Sequence, residues 1–415
     1  MTSCSPEHPP KRADVLIVGA GPAGLSMACG LADAGIKSCV LEAAALSALA
    51  EPAEDGREIA LTHAGMAVLQ KLGQWQDLPP SEIAPLKRAH VFNGEGRDYL
   101  GFDAEGSGRE QLGSLVANHW LRRVAYQGAL QRADWITLRA DTRVSQLTLN
   151  SDAAHLTLAD GERLSAPLVI AADSRFSATR RQAGIGAQMR DFGRSVLVCR
   201  LRHSQPNQGI ALECFHYGHT LALLPLNGDC SSLVLTLPAD RASAMMQWGE
   251  EQFMAWVRTE VRGRLGDLSL ASSRHLYPLV ATYAHRFASA HFALIGDAAV
   301  GMHPVTAHGY NFGLYGVDTL TQLLASAHRA GQDLGDAALL ERYASAHRRK
   351  TWAIYQGTNA VVQLFTDDRP AARLLRRGVL QMAQHLPPLK SAITAQLTGR
   401  QPALLRQLQS LVQQR

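Results

Sequence analysis

The sequence predicts an α/β protein in which a Rossmann-like nucleotide-binding domain is interrupted by a β-rich insertion and closed by a helical C-terminal tail. Three observations carry this. Short apolar runs of parallel-strand type recur near residues 15, 169 and 294. Between the second and third, strand-like runs separated by Pro, Asn and Gly have antiparallel character. A glycine-rich turn directly follows the first run and opens a helix of small residues.

Taken in order, Asp14–Gly19 (DVLIVG) is a buried strand, Gly21–Ala34 a helix and Lys37–Glu42 a second strand, which makes one βαβ unit. Leu61–Leu72 has helical spacing, and Asn118–Leu130 is another helix. Ile136–Leu158 alternates like antiparallel strands, with Asp160–Gly161 as a hairpin turn. Leu168–Ala172 is again a buried strand. Ser195–Leu237 supplies four strand-like runs, and Ala242–Val261 is expected as one helix. Phe292–Gly296 is a strand leading into a Gly-rich turn, and the chain beyond 313 is mostly helical. The expected division is 13–75, 109–183 and 284–345 for the nucleotide-binding domain, 76–108 and 184–283 for the insertion, and 346–415 for the helical region.

Composition bounds the function. With 415 residues, 46% apolar and 19% charged, the chain has ample material for a globular core and is neither disordered nor fibrous. A net charge of +5 is too slight to predict nucleic-acid binding. The excess sits in the tail, where residues 369–415 hold Arg369, Arg373, Arg376, Arg377, Lys390, Arg400, Arg406 and Arg415 and no acid. Without those eight, the 41 basic side chains no longer outnumber the 36 acidic ones. The six cysteines are scattered, so neither a disulfide framework nor a metal site is expected, and a reduced compartment is. No run approaches ~18 apolar residues, and Met1–Arg12 lacks the apolar core of a signal peptide. A cytoplasmic protein is expected.

Three motifs carry chemistry. In Gly19-Ala20-Gly21-Pro22-Ala23-Gly24, Gly19 permits the tight turn, Gly21 admits a pyrophosphate to the backbone, and Gly24 lets helix and strand pack closely. Glu42 ends the second strand near the ~20-residue spacing of a ribose-binding acid. Gly184-Ile185-Gly186 has Met189 in place of the third glycine, so one dinucleotide is held durably and any nicotinamide visits. The second motif runs from Phe292 through Gly296-Asp297 to His303-Pro304 and Gly309-Tyr310-Asn311. Here a strand delivers Asp297 where α/β sheets bind ligands, although a capping Asp fits the same pattern. The third is Asp173-Ser174-Arg175 with Arg180, at the end of a buried strand. It suits cofactor positioning or a visiting pyridine nucleotide, while the residues alone favour a solvated turn with charge pairing.

Together these segments resemble the class A flavoprotein monooxygenases of the p-hydroxybenzoate hydroxylase fold. Within them the chain is similar to the ubiquinone-biosynthesis hydroxylases, most of all the UbiM-type branch. The resemblance rests on DVLIVGAGPAGL (14–25), REIALT (57–62), LGSLVANHWLRRVAY (112–126), LVIAADSRFSATRR (168–181), LALLPLNGD (221–229), YPLVATYAHRF (277–287) and ALIGDAAVGMHPVTAHGYNFGL (293–314). It implies FAD as resident cofactor, held by Gly19, Gly21, Gly24, Glu42, Arg57, Asn118, Asp173, Asp297, Pro304, Gly309 and Asn311. Ser174 stands where the family usually has Gly, Val300 where it has His, and Ala43 where it has Arg.

The activity so implied is hydroxylation of a polyprenylated phenol or quinol of ubiquinone biosynthesis, with NAD(P)H as transient reductant and O2 as co-substrate, through a flavin hydroperoxide. No protein acid or base is required, and none is assigned. His303 and His308 fit either phenol deprotonation or backbone hydrogen bonding. Two other classes fit the sequence: a flavin-dependent reductase or dehydrogenase on the same fold, and a non-catalytic prenylphenol-binding subunit of a quinone-synthesis complex. Leucines at near-helical spacing among the tail's basic residues suit an anionic membrane surface or a complex partner, or packing on the protein itself.

Overall fold

A computed structural model describes residues 13–94, 99–105, 108–216, 218–302 and 309–366. The tail 369–415 and the segment holding His303, Pro304 and His308 lie outside the described residues.

The apolar runs form a six-stranded sheet in the order Ala288–Ser289, Phe292–Leu294, Leu168–Ala171, Val15–Val18, Ser38–Leu41, Ile136–Arg139. Its five inner and far-edge strands pair in parallel, so their C-terminal ends face one side together. Val15, Ile17 and Val40 are fully enclosed, as expected where helices cover both faces. Helix Pro22–Asp33 packs between helices Asn118–Leu130 and Gly309–Arg329. A second helix, Ala337–Thr366, follows Gly309–Arg329.

Ile136–Arg139 corrects the expected antiparallel run, because it pairs in parallel with Ser38–Leu41. The antiparallel meander is only Val144–Leu149, Ala154–Leu158 and Arg163–Ala166. An edge strand of a parallel sheet is half-exposed and alternates like a meander strand, so local pattern does not identify its partner. Leu61 likewise ends strand Glu58–Leu61, and the helix begins at His63 behind Thr62, whose hydroxyl accepts from the Gly65 amide.

The insertion is built on a nine-stranded sheet. Its long strand Ala187–His203 pairs antiparallel with both Cys230–Pro238 and His275–Ala284. The order continues through Thr220–Pro225, Ile210–Phe215, Arg88–Asn93 and Tyr99–Asp103. The strand starts at Ala187 rather than Ser195, with a register shift between Asp191 and Ser195 that lets it bend. The single helix expected over 242–261 is two, Ala239–Met246 and Glu250–Val261, broken where Gly249 takes an extended conformation. Both cover one face of the sheet. That face carries Leu197, Cys199, Leu221, Leu223, Leu233 and Leu235, buried against Phe253 and Val257. Each enclosed leucine is worth ~2 kcal/mol of transfer free energy. Among the described residues, no helix is long and apolar enough to cross a membrane.

Candidate functional site

The glycine loop leaves strand Val15–Val18 at the C-terminal edge of the parallel sheet. Gly19 has φ +104°, and a side chain there would meet the Ala172 carbonyl oxygen at 2.6 Å. A Cβ on Gly24 would collide with the Gly19 carbonyl oxygen. On Gly21 it would meet nothing within 4 Å. Two of the glycines are thus required by close approach, and the third fronts open space. Helix Pro22–Asp33 has no side-chain cap and no acid in its first turn, so its N-terminal amides face that space unneutralised. This is the chemistry that a pyrophosphate satisfies. Glu42 closes the other side, accepting from the Ala20 amide at 2.7 Å and the Ala44 amide at 2.9 Å.

A second cluster centres on Asp55. The Arg57 guanidinium donates to its carboxylate at 2.6 Å and the Asn118 amide at 2.7 Å, while Tyr277 Oη donates to its carbonyl at 2.7 Å. The Arg57 guanidinium also lies 5.2 Å from the Tyr277 ring centre. Burial works to raise the Asp55 carboxyl, but Arg57 and Asn118 outweigh it and hold it below the usual carboxylate range. Arg57 and Asn118 are brought together through Asp55, a residue not singled out in the sequence. Asp55 stands two positions before Arg57, a spacing that permits a local pair, and nothing in the pattern adds Asn118 to it.

At the sheet's other switch point, Asp297 pairs with Arg175 at 2.8 Å. Buried Arg180 donates to the carbonyl of Ala298 at 3.1 Å. Asp173 accepts from Ser177 Oγ and from the Thr179 amide and hydroxyl, capping the short turn that holds both arginines. Ser174 takes φ +79°, so the conformation that Gly would supply is kept by a residue strained in it. Asn311 is wholly enclosed. Its carbonyl accepts from the Thr62 amide at 2.9 Å and hydroxyl at 3.0 Å, and its amide donates to the Ala60 carbonyl at 2.8 Å. It pins helix Gly309–Arg329 to strand Glu58–Leu61. A side chain on Gly309, at the start of that helix, would meet no described atom within 4 Å.

The insertion sheet turns its second face toward these elements. Arg200 on that face pairs with Glu58 at 2.8 Å, and a small cavity beside them is lined by Gly56, Arg57, His119 and His275. Glu58 is 2% exposed. Burial drives its carboxyl up to about 7 against the opposing pull of Arg200. Register places Val198, Val234, Ala222, Glu213, Val91 and Leu100 in one row across the same face. Glu213 is the acid in this otherwise apolar row. It is partly accessible, yet surrounded closely enough that burial pushes its carboxyl up to about 8. Burial thus favours its neutral form, which can donate a hydrogen bond. A lone acid at an alternating position of IALECF was the available signal, and the face it occupies was not readable without the partner strands.

A phosphate-ready glycine loop and acid on a parallel sheet, set against a large antiparallel sheet with an apolar inner face, define a dinucleotide-binding flavoprotein. The FAD binding domain family matches residues 12–358, and the chain belongs to it. It belongs further to the ubiquinone hydroxylases. It is 46% identical over 390 residues, 93% of this chain and 84% of the relative, to the ubiquinone hydroxylase UbiM of Neisseria meningitidis. To the ubiquinone hydroxylase UbiL of Rhodospirillum rubrum it is 34% identical over 380 residues, 92% and 88% of the two chains. The p-nitrophenol 4-monooxygenase PnpA from Pseudomonas putida shares its fold, with TM-score 0.71 at 18% identity over 93% and 97% of the chains. The expected family, fold and FAD are borne out, and the open space at Gly21 with its uncapped amides fits that cofactor.

Proposed function

We propose that the protein hydroxylates the ring of a polyprenylated phenol or quinol of ubiquinone biosynthesis, using NAD(P)H and O2. The observation that carries this reading is the apolar face of the insertion sheet, with Glu213 as its acid, turned toward the cofactor-binding elements in a chain that belongs to the ubiquinone hydroxylases.

FAD, when bound, supplies the redox and oxygen-activating chemistry. Gly19, Gly21 and the amides of helix Pro22–Asp33 hold its pyrophosphate, and Glu42 its ribose. Arg57 and Asn118, tied through Asp55, form one wall, and Asp297, fixed by Arg175, forms another. Asp173 acts on the cofactor by capping the turn that carries both arginines. Asn311 acts by placing the start of its helix. The row Val198, Val234, Ala222 and Val91 excludes water from an apolar substrate, and protonated Glu213 donates to its phenol oxygen. The basic tail 369–415 brings the protein to an anionic membrane surface, where such a substrate resides.

Deleting the gene and weighing lipid-extracted quinone intermediates tests the reading. A prenylphenol short of one or more oxygens is expected to accumulate. An unchanged profile in a strain with no second hydroxylase overturns it, and NAD(P)H consumption with unchanged substrate mass identifies a reductase instead.

A further inference from the structure

The turn between strands Ile210–Phe215 and Thr220–Pro225 carries His216 and His219. Helix Glu250–Val261, which packs on the leucine face of the sheet, brings Glu260 to them in its last turn. Both imidazoles are buried, at 6% and 7% exposure. They stack at 4.9 Å between ring centres. His219 Nε2 lies 3.1 Å and His216 Nε2 3.8 Å from the same carboxylate oxygen of Glu260. His216 Nε2 and His219 Nδ1 have no hydrogen-bond partner among the described residues. His216 Nε2, enclosed without a partner, is costly at ~1–3 kcal/mol, and an ion between it and Glu260 would meet it.

One ligating atom from each of the three residues lies within 4.8 Å of the other two. A four-coordinate zinc ion with bonds of ~2.0–2.2 Å sets its ligand atoms roughly 3.3 Å apart. The separations of 3.1 and 3.8 Å from Glu260 lie on either side of that value. The guanidiniums of Arg241 and Arg264 lie over the rings of Trp256 and Phe92, at 5.9 and 4.6 Å from their centres.

We propose that His216, His219 and Glu260 form a site for one divalent transition-metal ion of the zinc class, clasping the strand turn to helix Glu250–Val261. Two imidazoles and one carboxylate suit zinc, cobalt, nickel or copper, and do not suit magnesium or calcium, which take oxygen ligands. The fourth position is left to water. The scattered cysteines gave no reason to expect a metal. The donor set arises from a His-x-x-His turn and a Glu on a helix 41 positions beyond His219, joined only by packing. The site is independent of the proposed hydroxylation.

The test uses full-length, FAD-loaded protein, dialysed against chelator and titrated with Zn2+ by calorimetry and with Co2+ by visible absorption. One equivalent per chain is expected, with the intense absorption of tetrahedral cobalt and no competition from Mg2+. The double variant His216→Ala/His219→Ala should lose that equivalent while retaining FAD, and Glu260→Gln should weaken it about tenfold. An equal number of ions bound by parent and double variant overturns the proposal. So does the weak absorption of octahedral cobalt at every ratio in the parent, which holds even if the variants misfold.

Discussion

The family resemblance places Asn311 among the cofactor contacts, whereas its side chain is spent on the protein's own backbone, and the two roles separate under Asn311→Ala. The substitution strands the Thr62 amide and the Ala60 carbonyl inside the core, where Asn311 is 0% exposed. Each stranded group costs ~1–3 kcal/mol, and the Thr62 hydroxyl also loses its acceptor, so a loss of about 3 kcal/mol is expected. For a domain of this size that is a large fraction of total stability. Urea denaturation of FAD-free and FAD-loaded protein measures it. The clamp predicts the same loss in both forms, with FAD affinity falling only as helix Gly309–Arg329 loosens. An FAD-free variant within ~1 kcal/mol of the parent, combined with a large fall in FAD affinity, would refute the clamp and return Asn311 to the cofactor.

Gly21→Ala meets no atom within 4 Å and should leave FAD-free stability unchanged while weakening FAD about tenfold or more; Gly24→Ala, driven into the Gly19 carbonyl, should destabilise both forms by ~2 kcal/mol, read by thermal melting. Glu213 has a folded-state value of about 8, above its unfolded 4.5, so its contribution is present below the unfolded value and lost as pH rises through about 8. Glu213→Gln should flatten this loss of up to ~4 kcal/mol in melts between pH 5 and 9, and should keep hydroxylation at pH 7, whereas Glu213→Ala should lower kcat/KM by about tenfold or more. Ser174→Gly relieves a residue held at φ +79° and should raise stability by ~1 kcal/mol, which calorimetry checks.

Much of the fold was legible because parallel strands buried on both faces write themselves as continuous apolar runs, and the glycine loop carries its own spacing from Gly19 to Glu42. The close approaches expected at Gly19 and Gly24 are present in the structure. The partner of Ile136–Arg139 was not legible, since an alternating edge strand reads alike in either sheet. Neither was the break at Gly249, where two helices meet within one apolar pattern. Residues that act through backbone or neighbours were the least visible. Asp55 gains its role from Asn118, 63 positions away, and Glu58 from Arg200, 142 positions away.

The sequence by itself determined the nucleotide loop, the three-part course of the parallel sheet and the family, because each is a local pattern repeated at fixed spacing. Tertiary structure alone decided which residues share the second face of the insertion sheet and that Glu213 stands among them. It also decided that Asn311 clamps two elements, and that two histidines and a glutamate share one enclosed corner. Strand register and helix packing join residues that are far apart in the chain, and no local pattern records those meetings.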